Sequence, residues 1–295
     1  MAQLKTLKFL KESLDIMSKA AFVNKIIPFS NVDGEGNRTA IFLQGCNYNC
    51  LYCHNPETIN HCNSCGLCVP HCEYGALSKI DDKVVYDIEK CQNCDKCIAI
   101  CKRNSSPKIT SMTVEDIVQY LQKTRFFISG ITVSGGECTL QSGFLTELFR
   151  EVKKMGLTTF IDTNGSTPLY ANKELLEVMD KAMIDLKAYD SEENKMLTGL
   201  ENHTVIENIK VLGRLDKIYE IRTVVVPEVL DNIKTVDMGS KLLACINPNI
   251  IYKLIKYRPL GVREILIKAS VPSNEYMQDL KEIAISNGCK NIVIV

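Results

Sequence analysis

Three cysteines, Cys46, Cys50 and Cys53, stand in the spacing C-x3-C-x2-C within GCNYNCLYCHNP, residues 45–56. Thiolates are soft ligands that select zinc, copper(I) or iron–sulfur clusters. Three of them on a four-iron cube leave one iron open to an exchangeable ligand, and an open position marks catalytic metal sites generally. His54, directly after Cys53, is a competing fourth ligand that would block that corner. Two further groups follow: Cys62, Cys65, Cys68 and Cys72, then Cys91, Cys94, Cys97 and Cys101, each reading C-x2-C-x2-C-x3-C. In two-cluster proteins with this spacing the fourth cysteine of each set ligates the other cluster. One [4Fe–4S] then falls to Cys62, Cys65, Cys68 and Cys101, the other to Cys91, Cys94, Cys97 and Cys72. The proline that usually follows the fourth cysteine is absent; Glu73 and Lys102 stand there. Structural zinc is the alternative occupant, but a four-ligand zinc site built from two C-x2-C knuckles leaves thiols over.

The rest of the composition permits an enzyme of ordinary kind. The chain has 295 residues, enough to bury a sizeable core, with 45% hydrophobic and 24% charged residues. Thirty-five basic residues balance thirty-five acidic ones, so no global field draws nucleic acid or anionic lipid. No apolar run approaches the length of a membrane span. Leu4, Leu7, Leu10, Leu14 and Met17 fall at helical spacing among lysines, which predicts an amphipathic N-terminal helix and not a signal peptide. A cytoplasmic protein is expected. Eleven of the fourteen cysteines cluster, and Cys138, Cys245 and Cys289 stand alone. Nothing points to secretion, so metal sites explain that clustering better than disulfides.

The elements that must position these residues alternate strand and helix. TAIFLQG (39–45) reads as a strand, and a cysteine-rich interruption runs to about residue 108. Then come TVEDIVQYLQKT (helix), GITVSGGE (strand), GFLTELFREVKKM (helix), TTFIDTNG (strand), KELLEVM (helix) and AMIDLKAYD (strand). VIENIKVLGRL, VDMGSKLLACI and NEYMQDLKEIAISNG read as helices between EIRTVVVP, IYKLIKYRPLG and NIVIV. This alternation predicts parallel βα units, as an open doubly wound sheet or a barrel. No G-x-G-x-x-G follows a strand and no G-x4-G-K-[ST] occurs, so dinucleotide and P-loop readings have no support. The cysteine loop, SGGE, DTNG, DLK, VVVP and YRPLG all lie at carboxyl ends of strands, where parallel folds build their sites.

The C-x3-C-x2-C motif with Tyr52 before its third cysteine resembles the radical S-adenosylmethionine (SAM) enzymes. More narrowly, SNVDGEGNRTAIFLQGCNYNCLYCHNPET is similar to the signature of glycyl-radical-enzyme activating enzymes of the pyruvate formate-lyase activating enzyme type, with Glu35 where their DGPG has proline. The likeness runs from about residue 24 to 260. With its bacterial-ferredoxin-like insert, KIIPFS and ITVSGGE, the chain looks most like the YjjW-type activase subgroup. The resemblance implies a partial (β/α)6 barrel over 24–57 and 109–295, a two-[4Fe–4S] ferredoxin insert over 58–108 and a helical extension over 1–23.

It also implies site residues. Gly135, Gly136 and Glu137 match the G-G-E motif that holds the SAM amino group: the glycines permit close backbone approach, and the carboxylate accepts from the amine. On this basis Gly136→Val is expected to weaken SAM binding and leave iron content alone. Asp185, Leu186 and Lys187 match the segment contacting SAM ribose and carboxylate; two apart on a strand, Asp185 and Lys187 share a face. Asp162, Thr163 and Met183 match positions that bind a monovalent cation beside the SAM carboxylate. Tyr52 and His54 are expected to offer backbone and ring surface to adenine. Arg258 stands where activases often have histidine; it can donate to ribose oxygens but not accept, and the alternative is a rim charge making a salt bridge.

The implied activity is reductive cleavage of SAM to methionine and a 5′-deoxyadenosyl radical, which takes hydrogen from a backbone glycine of a partner glycyl radical enzyme. No catalytic residue beyond the SAM-bound cluster is implied. A flavodoxin or ferredoxin-type protein would supply electrons, and the insert would relay them, against the alternatives that it recognises the partner or stabilises the barrel. A radical SAM enzyme acting on a small molecule and a plain iron–sulfur electron carrier are the other readings. The carrier would not need the G-G-E and D-L-K constellations.

Overall fold

The computed structural model describes residues 20–263 and 266–295. The expected N-terminal helix falls mainly on 1–19, outside the described residues, and residues 20–23 belong to a strand. The chain divides into two compact units. One comprises the chain up to Cys46 with Glu57–Thr159, the other Asn47–Pro56 with Phe160–Val295.

In the first unit, β1 (Ala20–Ser30) runs antiparallel to β2 (Arg38–Leu43) and, on its other edge, to β5 (Thr110–Thr113). β2 pairs in parallel with β6 (Gly130–Gly135). Neither β1 nor β5 was anticipated. β1 carries Pro28 and an irregular burial pattern, so period-2 alternation does not announce it; its pairing on both edges makes it a strand. α2 (Val114–Gln122) starts at a capping box in which the Thr113 side chain accepts from the Asp116 amide while Asp116 accepts from the Thr113 amide, a feature worth about 1 kcal/mol. It packs Ile117 and Leu121, both fully buried, beside α3 (Ser142–Lys154), which buries Leu145, Leu148 and Phe149. Arg38, 1% exposed, donates to the hydroxyls of Thr132 and Thr158 at 2.9 Å and to the carbonyl of Glu35 at 3.1 Å. The D-G-E-G loop is thus held at the Glu35 carbonyl by the Arg38 side chain.

The cysteine-rich insert contains the hairpin β3 (Leu77–Ile80) and β4 (Lys83–Tyr86) and the short α1 (Lys96–Ala99). Its two ends meet: Asn60 and Ser105 form a parallel bridge, and the Asn60 side chain donates to the Arg103 carbonyl at 2.8 Å.

In the second unit, β7 (Thr158–Thr163), β8 (Lys181–Asp185), β9 (Ile218–Val225), β10 (Ile251–Lys256) and β11 (Asn291–Ile294) pair successively in parallel. α4 (Lys173–Val178), α6 (His203–Arg214), α7 (Asn232–Ile246) and α8 (Asn274–Ser286) connect them. α5 (Ser191–Thr198) was not anticipated. Its cap signals, Asp190 before it and Gly199 in the left-handed region after it, were readable, but only Asn194, Leu197 and Thr198 are buried, too few to give an apolar period. The parallel α/β reading is borne out.

Candidate functional site

Cys46 ends the first unit's contribution to the cysteine loop. Two backbone bonds fasten the approach to it: the Gly45 amide donates to the Thr58 carbonyl at 2.8 Å, and the Cys46 amide to Ile59 at 2.9 Å. Gly135, Gly136 and Glu137 lean on the same segment. The Gly136 amide donates to Leu43 at 2.9 Å and the Glu137 amide to Gly45 at 2.8 Å. A Cβ on Gly135 (φ +130°) would lie 2.1 Å from the Leu43 oxygen, and one on Gly136 2.3 Å from the Gly45 oxygen and 2.7 Å from that of Thr58. The two glycines are therefore required by the chain's own backbone. The expectation that Gly136→Val spares the cysteine loop fails on this geometry. Glu137 is 1% exposed, with Oε1 accepting from the Thr139 amide at 3.1 Å and the Thr139 hydroxyl.

The duplication of the insert is visible in its backbone. Ser64 and Asn93, equivalent in the two cysteine sets, both adopt positive φ, and so do the next equivalent pair, Gly66 and Asp95. The Ser64 amide donates to Cys62 Sγ and the Asn93 amide to Cys91 Sγ, each at 3.4 Å. Such amide–sulfur bonds are one lever on cluster potential. Cys72, Cys91, Cys94 and Cys97 line one cavity with Tyr86 and Lys108. Among the described residues no group of three or more His, Cys, Asp or Glu is arranged to hold a single metal ion, the arrangement tetrahedral zinc needs. Burial raises the Cys68 thiol to about 11. At Cys101 burial opposes ionisation, but the Ser105 hydroxyl and the amides of Arg103 and Ser105 outweigh it and lower the pKa.

The second unit carries the rest of the cysteine loop. Cys50 is 7% exposed, and burial pushes its thiol up to about 11. The loop rests on the carbonyl end of α5: the Asn49 amide donates to Thr198 at 2.9 Å and the Leu51 amide to Leu197 at 3.0 Å, satisfying carbonyls a helix end leaves open. The Tyr52 ring is buried with Leu197, Val226, Leu230, Tyr257 and Ile267, so it packs the loop down and is not presented to a ligand. Its hydroxyl has no partner in the structure. Lys187 Nζ lies 5.7 Å from that ring's centre and pairs with Asp185 Oδ2 at 2.8 Å. Burial works against the ammonium, but Asp185, Cys50 and Tyr52 outweigh it and hold the proton well above the ordinary lysine range. Leu186 is buried, and its amide donates to the Arg222 carbonyl. Exposed His54 donates from Nε2 to the Arg258 carbonyl at 3.0 Å; Arg258 itself is exposed.

Arg222 was missed. Its Nη1 pairs with Asp162 Oδ1 at 2.9 Å, Nη2 lies 2.9 Å from Met183 Sδ, and Nε bonds the buried Glu220, which also pairs with Lys253 Nζ at 2.6 Å. The cation expected beside Asp162, Thr163 and Met183 does not fit this donor set. A guanidinium already faces the carboxylate and the thioether, and the Thr163 hydroxyl accepts from the Gly165 amide at 3.0 Å. The signal was present: Glu220 and Arg222, two apart on a strand, must share a face, and charged side chains facing a parallel sheet's interior need partners.

The radical SAM superfamily profile matches residues 40–238, a span containing Cys46, Cys50 and Cys53, Gly135–Glu137 and Asp185–Lys187. The (2S)-3-sulfopropanediol sulfolyase activating enzyme of Bilophila wadsworthia is 34% identical over 82% of this chain and 87% of its own. The pyruvate formate-lyase 1-activating enzyme of Escherichia coli K12 is 32% identical over 72% and 70%. Among solved structures, Escherichia coli QueE covers 94% of each chain with a TM-score of 0.53 at 13% identity, a likeness of fold. Matched over most of its length by both profile and relatives, this chain belongs to the radical SAM superfamily and, within it, to the glycyl-radical-enzyme activating enzymes.

Proposed function

We propose that this chain is an activase with three [4Fe–4S] clusters, whose ferredoxin-like insert relays electrons from a flavodoxin or ferredoxin-type donor to the SAM-binding cluster. The observation that carries the activase reading is the match to whole activating enzymes across the span holding all three motif groups. When bound, the cluster and SAM supply reductive cleavage to methionine and a 5′-deoxyadenosyl radical able to take hydrogen from a glycine of a partner glycyl radical enzyme. The protein's part is to hold and shield that chemistry. Cys46, Cys50 and Cys53 furnish three thiolates. Gly135–Glu137 and the half-buried Lys187–Asp185 pair are the polar groups assigned to SAM, the ammonium suiting its carboxylate and Asp185 its ribose hydroxyls. Cys62, Cys65, Cys68 and Cys101 hold one insert cluster, and Cys91, Cys94, Cys97 and Cys72 the other. The shared cavity of Cys72 with the second set supports that crossed assignment.

Anaerobic reconstitution should load about twelve irons per chain, from three cubes, and dithionite with SAM should yield 5′-deoxyadenosine. Stoichiometric zinc without iron–sulfur absorbance would overturn the reading. The relay has its own test in the double replacement Cys62→Ala and Cys91→Ala, which removes one ligand from each insert cube. SAM cleavage should survive with dithionite, which reaches the barrel cluster directly, and fall steeply with reduced flavodoxin. Equal cleavage with both reductants would rule the relay out.

A further inference from the structure

The segment after β10 closes on the cysteine loop at both ends. At one end His54 Nε2 donates to the Arg258 carbonyl. Gly261, at φ +81°, approaches so closely that a Cβ there would lie 3.0 Å from the His54 oxygen. At the other end the Arg263 fork grips consecutive residues. Nη1 donates to Asn49 Oδ1 at 2.6 Å, and Nη2 to the Cys50 carbonyl at 2.6 Å and more weakly to that of Asn49 at 3.3 Å. The remaining nitrogen, Nε–H, is buried and has no partner among the described residues.

We infer that Arg263 is a positioning residue for the SAM-binding cluster, fixing the Cys50 turn and placing a permanent positive charge beside a cluster ligand. The inference rests on the reading of Cys50 as such a ligand. Two physical effects follow from the geometry. Planar guanidinium donors bind two acceptors in fixed relation, which a flexible ammonium cannot reproduce. The turn Asn49–Cys50 is otherwise fastened from α5 through the amides of Asn49 and Leu51, so Arg263 supplies the hold on the carbonyl side. Cys50 O also accepts the Cys53 amide at 3.1 Å. One oxygen therefore links Arg263 to two of the three thiol-bearing residues. The second effect is electrostatic. Reduction adds negative charge to a cluster, and a fixed cation nearby favours the reduced form; net charge and hydrogen bonding are recognised levers on cluster potential. Low dielectric around the buried Cys50 keeps that influence from being screened.

The experiment uses the full chain, reconstituted anaerobically, in three forms: parent, Arg263→Gln and Arg263→Lys. The SAM-binding cluster is followed by its electron paramagnetic resonance signal and by the change SAM produces in it, with the insert clusters as internal reference. Arg263→Gln should shift the one-electron reduction equilibrium of that cluster about tenfold toward the oxidised form, about 59 mV, and leave the insert signals in place. Arg263→Lys, which keeps the charge and loses the fork, should recover most of that shift while broadening the signal through a less uniform turn. An unchanged equilibrium in both variants would overturn the inference. So would equal loss of the cluster in both, which would make Arg263 a structural prop. A parent protein with no SAM-responsive signal would instead refute the activase reading, and the two failures are thereby distinct.

Discussion

Cys50→Ala should abolish SAM cleavage, with 5′-deoxyadenosine falling by about a hundredfold or more, since loss of even an outer partner of a metal ligand costs about 10–100-fold. The local fold should tolerate the change. The Cys50 carbonyl keeps its bonds from Arg263 and the Cys53 amide, and alanine leaves a small void in place of a buried sulfur. What disappears is one of three thiolates. The insert ligands belong to the other compact unit, so about eight of twelve irons should remain. Iron analysis alongside chromatographic detection of 5′-deoxyadenosine under dithionite reads both halves of this expectation. Cleavage at the parent rate would remove Cys50 from the cluster.

Gly136→Val should be severe for a different reason. Its Cβ alone would overlap the backbone oxygens of Gly45 and Thr58, and neither is the end of a flexible side chain that can swing aside. Overpacking typically costs about 1–3 kcal/mol, occasionally more, and a clash with backbone on two sides belongs at or above the upper end. The strain falls on residues adjoining Cys46, so iron at the SAM-binding cluster should drop together with stability. Denaturant unfolding and iron content would show this jointly. A variant with parent stability and iron but weakened SAM affinity would restore the simpler view that Gly136 makes room for the ligand.

Much of this was readable in the residues themselves. The repetition of the two cysteine sets was legible as spacing, and it reappears in the backbone as matched left-handed turns at Ser64 and Asn93. Strands such as GITVSGGE and AMIDLKAYD were legible because continuous apolar runs ending in glycine or charge are what a buried parallel strand looks like. β1 was not, since its two partners decide its conformation and lie far along the chain. The Arg222–Asp162 and Arg263–Asn49 pairings were out of reach for the same reason. Each arginine's role depends on an acceptor dozens or hundreds of residues away, and nothing local marks which acceptor it meets. The close backbone approach read from the G-G-E glycines is present, but the backbone they admit is the protein's own.

The meeting of Asn60 with Ser105 gives the insert a single doorway. Lengthening such an excursion is thermodynamically mild, about 0.6 kcal/mol for each doubling of a flexible loop. An excursion closed in this way can therefore be lengthened or shortened at modest cost while the bridge at its base stays the same. The same doorway makes the insert a natural cassette, one that can be removed or exchanged at Asn60 and Ser105 as a unit.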